Sequence, residues 1–455
     1  MENFKKSIWA YLKSKDMDAL KKLLNSAEEL EILEAINDLS ADEQVIIYRL
    51  LNKDMALAVF EQLDLRLQQE LISSFTEEKA IEMIEELAPD DRVRLLDELP
   101  ATVAKKLLDS LSLEERQITN VLLGYEAETA GRIMTTEYVR LRREMTVAEA
   151  MEKIKISAKD KETIYTLYIT DDARTLEGVI SLRELLIAEP TEKIETLMQK
   201  KVINVAIDTD QEEVARLLQE LDLLAIPVVD KENRLVGIIT VDDAMDILED
   251  EATEDMFDSA GIADIKNQET NRSEILVFGS LWQIWKMRLP FLVFTLIGGL
   301  LAGMVIDGFE ETLESVAVVA VFIPIIMDMG GNVGTQSATV FTRGLLLGHI
   351  KMKDVKKNLL KEILVGITMG GLVGIVTGLI AYFWYGMPGL GLAVGLALAF
   401  TTSIAAGLGF FVPYILVKFN IDQASGTGPI ITSIKDITGL LVYFYLVTLF
   451  LGHLL

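Results

Sequence analysis

Hydrophobic and polar positions follow three different rhythms along this chain. Over residues 1–130 the apolar residues recur at helical spacing, as in Val93, Leu95, Leu96, Leu99, Val103, Leu107 and Leu108. A leucine followed by small, turn-forming or acidic residues returns at 39, 63, 87 and 111, a period of 24: Leu39-Ser-Ala-Asp-Glu, Leu63-Asp-Leu-Arg-Leu, Leu87-Ala-Pro-Asp-Asp and Leu111-Ser-Leu-Glu-Glu. Three of the four read as helix starts, with a small or capping residue and then acids in the first turn. A repeat of that length holds two short helices, so a small stack of helix pairs at right angles is expected.

Between residues 131 and 250 the rhythm alternates between helix and strand, and it does so twice. Gly178-Val-Ile-Ser-Leu-Arg-Glu and Gly237-Ile-Ile-Thr-Val-Asp-Asp stand 59 residues apart. Each follows a short β-rich run, Ile164-Tyr-Thr-Leu-Tyr-Ile-Thr-Asp and Ala225-Ile-Pro-Val-Val-Asp. Each run follows a helical segment, Val147 to Ile156 and Gln211 to Leu221. The order predicts an α+β tandem.

The third rhythm is long apolar runs. Leu289–Ile306 is uncharged, Val316–Thr342 is charged only at Asp328, and Ile363–Val417 carries no charge but breaks at Gly386-Met-Pro-Gly. The last run, Gly426 to Leu454, is charged only at Lys435 and Asp436. About 20 apolar residues cross a bilayer, so five spans are expected. Arg343, Lys351, Lys353, Lys356, Lys357 and Lys361 lie between the second and third spans, whereas the link between the first and second has acids and no base. Positive residues stay inside. The N-terminus is therefore expected in the cytoplasm and the C-terminus outside the cell (inner) membrane.

Charge sharpens this division. From Arg288 onward nine acids balance nine bases, so the net charge of −27 lies on residues 1–287. An acidic surface repels nucleic acid and attracts cations. The chain has no cysteine and only two histidines, His349 and His453, which argues against thiolate or imidazole-rich metal chemistry. No nucleophile–base pair, phosphate loop or metalloprotease motif appears, and an enzyme is not expected. The first residues show no signal-peptide pattern.

Two membrane features carry chemistry. Asp436 is an acid in an apolar span, and such residues face water-filled cavities and mark ion paths; pairing with Lys435 at a helix end is the alternative. The segment Met329-Gly-Gly-Asn-Val-Gly-Thr-Gln-Ser337, after Pro324, is too polar and glycine-rich for a lipid-facing helix. It reads as loosened helix lining a cavity, with freed carbonyls and with Gly330, Gly331, Asn332, Thr335, Gln336 and Ser337 on the wall. Oxygen and amide groups suit a hard hydrated cation.

In the soluble half, no base lies between Arg234 and Lys266, yet ten acids lie from Asp242 to Asp264. Asp243, Asp246, Asp250, Glu254 and Asp258 share one helix face. Like charges so spaced destabilise a helix, and divalent cations would supply the counter-charge; a solvated linker is the alternative. Asp90, Asp91 and Asp97 are candidates to meet a neighbouring domain. Residues 273–287, with Trp282 and Trp285, read as an amphipathic helix on the inner membrane surface.

The tandem over 131–250 resembles a pair of cystathionine-β-synthase (CBS) domains, on the order of its elements and its two Gly-hydrophobic-hydrophobic-Ser/Thr corners. That resemblance implies a regulatory module and ATP or another adenine nucleotide as ligand, with Thr240 and Asp243 where the family contacts ribose. Glu184 replaces the Asp in the first copy, which weakens a site there. A purely structural pair is the alternative.

The whole resembles the MgtE family of magnesium channels, most specifically at Gly330-Gly-Asn-Val-Gly-Thr-Gln-Ser-Ala-Thr, Ser425-Gly-Thr-Gly-Pro and Lys435-Asp-Ile-Thr-Gly-Leu. This implies a multi-domain membrane protein. Residues 1–130 would form an all-α helical-repeat domain, 131–196 and 197–258 the two CBS domains, 259–287 an amphipathic connecting helix, and 288–455 a five-helix all-α pore domain. It also implies a homodimer in the lipid bilayer, with Asp436 binding Mg²⁺ through its water shell. Regulatory Mg²⁺ would sit at Asp91, Asp210, Glu212, Asp222, Asp243, Asp246, Asp250, Glu251, Glu254 and Asp255. Thr335 stands where an Asn is common, and Asp328 is an additional acid. The expected function is Mg²⁺ uptake shut off by cytoplasmic Mg²⁺. A membrane sensor of nucleotides without conduction, or a divalent-cation exchanger or efflux protein, are the alternatives. Selectivity against Mn²⁺, Co²⁺ and Ni²⁺ stays open.

Overall fold

The computed structural model describes residues 2–36, 39–63, 65–263, 269–419, 421 and 426–452. The chain forms two compact units, residues 1–249 and 250–455.

The first unit opens with short helices. The repeat region gives Ala41–Leu50, Lys53–Glu61, Leu65–Ser74, Glu77–Glu86, Pro89–Glu98, Ala101–Ser110 and Leu113–Leu123, two helices per period. Local chemistry sets the starts. Ser40 and Glu43 close a capping box, Pro89 occupies the first turn, and the Ser112 hydroxyl accepts from the Glu115 amide. The recurring Leu39, Leu63, Leu87 and Leu111 are all buried, which explains the period: each closes one helix pair onto the core.

The expected tandem follows. In the first copy β1 (Tyr138–Leu141), β2 (Thr163–Thr170) and β3 (Leu176–Ser181) form one sheet, with β1 parallel and β3 antiparallel to β2. In the second, β4 (Val205–Ala206), β5 (Ala225–Val229) and β6 (Leu235–Thr240) repeat this pattern. Tyr168 and Leu176 of one copy share a core with Ala225, Val229, Leu235 and Ile238 of the other, so the pair is a single packed body. The helix Val241–Ser259 carries the acidic run.

Among the described residues, the second unit holds five helices long and apolar enough to cross a membrane: Leu281–Asp307, Ala317–Leu346, Met352–Tyr385, Pro388–Lys418 and Thr427–Leu451, hereafter spans 1 to 5. Gly386, left-handed at φ 68°, ends span 3 where the break was expected. Gly374 and Gly378 meet Gly395 and Gly391 of span 4, and a Cβ on Gly374 would lie 2.3 Å from the Gly395 carbonyl. Small residues here allow backbone contact.

Two expectations are corrected. Residues 323–346 of span 2 are regular α-helix, not loosened, because their carbonyls stay in the helical ladder despite the glycines. Trp282 and Trp285 lie in the first turns of span 1 itself: a shorter helix ends at Phe278, and Ser280 caps span 1 through a box with Gln283. On span 1 nothing stands within 4 Å of a Cβ on Gly299 or Gly303, so the close contact of spans 3 and 4 has no counterpart at these two glycines.

Candidate functional site

Spans 2 and 5 pack together with a groove of about 460 Å³ between them, lined by Asp328, Gly331, Asn332 and Thr335 on one side and Thr432, Lys435 and Asp436 on the other. Positions 328, 331, 332 and 335 follow helical spacing and share one face. Asn332 Nδ2 donates to Asp328 Oδ2 at 3.2 Å. Asp436 Oδ1 lies 2.7 Å from Lys435 Nζ, and the same ammonium donates to the Met327 carbonyl. Asp436 is thus paired with its neighbour and still on the groove wall, so the two readings of that acid coexist.

The expected wall residues divide between two faces. Gly331, Asn332 and Thr335 line the groove. Gly330 is buried against Thr401 and the Lys435 stem, and buried Ser337 donates to Glu362 at 2.8 Å on span 3; neither lines it. Gln336 is exposed away from the groove. A helix turns by about 100° per residue, so a contiguous run cannot present one wall. Thr432 was missed, although it stands one turn before Asp436.

A second acidic gathering lies inside the first unit. Asp90 and Asp91, at the start of one repeat helix, face Glu162 of β2's approach and Asp243 of the acidic helix. Burial, reinforced by Asp243, Asp91 and Glu162, holds the Asp90 carboxyl well above its ordinary value. Burial raises Asp91 against the pull of Arg94. Asp243 is pushed up to about 6 by burial, opposed by a hydrogen bond from Thr240, and burial with Asp243 and Asp242 nearby pushes Glu162 up to about 7. Arg94 reaches Asp246 at 3.4 Å. Acids this crowded attract a divalent cation. Among the described residues no three acidic or histidine side chains converge tightly enough to clasp a metal directly.

The remaining expected regulatory acids lie elsewhere. Asp210 caps its own helix by accepting from the Glu212 amide at 2.9 Å, Glu212 pairs with Arg216, and Asp222 is exposed at a left-handed turn with φ 51°. Asp250, Glu251, Glu254 and Asp255 continue the acidic helix in the second unit. Further along it, Asp258 holds the buried Arg272, and its carbonyl accepts from the Gly426 amide at 3.0 Å, next to the start of span 5. Asp90, expected only to meet a neighbouring domain, and Glu162 and Glu61 were not assigned as metal sites; they are far apart in sequence, and only the fold brings Asp90 and Glu162 near Asp243 and Glu61 near Asp91.

At the second copy's corner Thr240 is buried and donates to Asp243 at 2.5 Å, so the two residues expected at a ribose bond each other. An open pocket of about 470 Å³ lies at the first copy's corner, lined by Thr166, Ser181, Arg183, Glu184 and Gln199 among others. There Glu184 is occupied in a capping box with Ser181.

Five apolar spans with a carboxylate-lined groove, joined to a helical domain and a CBS pair, define a membrane protein of the cation-transporter class. Residues 323–446 match the MgtE divalent cation transporter family, 27–128 the MgtE intracellular N domain, and 130–190 and 194–250 the CBS domain. The chain is 35% identical over 444 residues to the magnesium transporter MgtE of Thermus thermophilus, covering 96% of each. It is 37% identical over 349 residues to that of Bacillus subtilis, covering 76% of this chain and 75% of the relative. The solved cytosolic domain of the Mg²⁺ channel MgtE in complex with ATP superposes with a TM-score of 0.51 at 36% identity, over 53% of this chain and 99% of that one. The chain belongs to the MgtE family.

Proposed function

We propose that this chain is a Mg²⁺-selective channel for magnesium uptake, shut by cytoplasmic Mg²⁺. The observation that carries the reading is the groove that sets Asp436 on one wall against Asp328, Asn332 and Thr335 on the other, between otherwise apolar spans. Mg²⁺ gives up water reluctantly. Asp436 therefore binds the hydrated ion through its waters, and this weak hold lets it leave. The membrane potential drives entry by about 2.3 kcal/mol per charge per 100 mV. Two protomers of a homodimer bring two such grooves to one axis. The relatives named magnesium transporters support the choice of ion.

Residues 1–258 are then the cytoplasmic regulatory half, 259–280 the connection and 281–455 the pore domain, with the C-terminus outside. Mg²⁺ among Asp91, Asp243 and Asp246 favours one compact arrangement of the cytosolic helices and the CBS pair. Asp250, Glu251, Glu254 and Asp255 add further carboxylates along the same helix, and Asp210, Glu212 and Asp222 add peripheral charge. A ligand shifts such an equilibrium only by its difference in affinity for the two states, so several weak sites act together. The pocket at Ser181 and Arg183 takes an adenine nucleotide as modulator. No catalytic step is involved.

The test is Mg²⁺ uptake by the reconstituted protein, wild type against Asp436→Ala, with no second ion gradient. Uptake by the wild type and its loss in the variant are expected. Full uptake by Asp436→Ala would overturn the pore reading, and uptake that demands a counter-ion gradient would favour an exchanger.

A further inference from the structure

Lys435 is a buried cation on the wall of the proposed ion path. Its side chain is only 5% exposed, and its Nζ lies 2.7 Å from Asp436 Oδ1. It also donates to the backbone carbonyl of Met327. The stem is held by a notch in span 2: a Cβ on Gly330 would lie 3.3 Å from Lys435 Cδ, and one on Gly331 would lie 3.0 Å from Nζ. The two consecutive glycines therefore give the lysine its place. A buried ammonium in a span is costly unless it is paired, and both of its partners border the groove.

We propose that Lys435 is a specificity-determining residue of this groove: a tethered monovalent cation that occupies Asp436 until a divalent ion displaces it. The proposal rests on the reading of Asp436 as the ion-path acid. Na⁺ or K⁺ brings one charge, which is what the lysine already supplies. The lysine is also part of the chain, so its effective concentration at Asp436 exceeds that of a dissolved ion. A divalent ion brings twice the charge, and Asp328 on the facing wall adds to its attraction. The hydroxyl and amide oxygens of Thr335, Thr432 and Asn332 accept hydrogen bonds from its water shell. Displaced from Asp436, the ammonium keeps the Met327 carbonyl. Discrimination is then a difference between two affinities, with the lysine setting the threshold. Sequence gives the adjacency of Lys435 and Asp436, but not the notch.

The experiment measures Na⁺ and Mg²⁺ flux separately in liposomes holding the full-length protein. Lys435→Gln and Lys435→Met should raise the ratio of Na⁺ to Mg²⁺ flux by about tenfold or more, since a charge at contact distance is removed. Lys435→Arg should keep the wild-type ratio. In the wild type, replacing an organic cation by Na⁺ at constant ionic strength should leave Mg²⁺ flux unchanged. A folded neutral variant with the wild-type ratio overturns the proposal. Where neither neutral variant folds, competition between Na⁺ and Mg²⁺ in the wild type overturns it. Asp436→Asn is the separate control. Unaltered Mg²⁺ flux in that variant defeats the pore reading itself, whereas a loss there with an unchanged ratio in Lys435→Gln defeats only the role of the lysine.

Discussion

The Thr240 hydroxyl donates to the Asp243 carboxylate at 2.5 Å, and this bond orients an acid that three separate elements press against. Asp243 faces Asp91 of the helical repeat, and it raises the carboxyls of Asp90 and of Glu162 beside β2. Burial of so many acids destabilises the unit unless a cation or a proton joins them.

A dependence on pH follows. An acid whose carboxyl is raised on folding holds its proton more tightly folded than unfolded. The stability it permits is complete below the unfolded value of about 4 and is lost as pH rises through the folded value, about 6 for Asp243 and about 7 for Glu162 and Glu61. In metal-free buffer the cytosolic melting transition should therefore fall between about pH 4 and 7, by on the order of 2–3 kcal/mol for Asp243 alone. Millimolar Mg²⁺ at neutral pH should restore it. Asp243→Asn should raise the metal-free transition and shrink the Mg²⁺ shift. Thermal denaturation with and without chelator checks this; a transition flat across that range would refute it.

Membrane packing gives a sharper test. A Cβ on Gly374 meets the Gly395 carbonyl at 2.3 Å, whereas one on Gly371 meets nothing within 4 Å. Gly374→Ala should push spans 3 and 4 apart and cost about 1–3 kcal/mol, the usual range for overpacking. Gly371→Ala should be neutral or slightly stabilising, since alanine is the better helix former. Thermal stability in detergent separates the two, and equal melting temperatures would contradict the packing.

The proposed nucleotide pocket makes a third. Arg183→Ala removes the guanidinium at the open corner of the first copy, and phosphate recognition depends on such a group. It should weaken ATP binding about tenfold or more, while Thr240→Val leaves binding unchanged. Calorimetric titration of the full-length protein decides between the corners. The reverse ranking would return the site to the second copy.

These cases show where sequence reasoning reached and where it stopped. Helix pairs, the tandem and five spans were legible because each has a period, and the buried Leu39, Leu63, Leu87 and Leu111 supply the first of them. The break at Gly386 was legible from turn chemistry. The state of span 2 was not: Gly330, Gly331 and Gly334 look like helix breakers in water, but a membrane helix keeps its ladder because no solvent competes for the carbonyls. Nor was the bond at the second CBS corner. Thr240 and Asp243 match a ribose-binding pattern in order and spacing, but only the fold shows that one bonds the other and that Asp91 of the helical repeat stands near them.

Asp328 supplies the last prediction. It shares the groove with Asp436 but belongs to the opposite wall, held by Asn332 Nδ2 at 3.2 Å. Asp328→Asn keeps the shape and removes one charge per protomer. A divalent ion several ångströms away in a hydrated groove would lose about 1 kcal/mol of attraction, or about fivefold in apparent affinity for Mg²⁺. Because the effect acts through water, it should shrink as salt rises and the Debye length falls from about 10 Å at 0.1 M to about 3 Å at 1 M. Loss of Asp436, which meets the ion's own water shell, should instead lower the maximal flux at any salt concentration. Uptake measured against Mg²⁺ concentration at two ionic strengths distinguishes these roles. A salt-independent loss of maximal flux in Asp328→Asn would make that residue a binding acid in its own right.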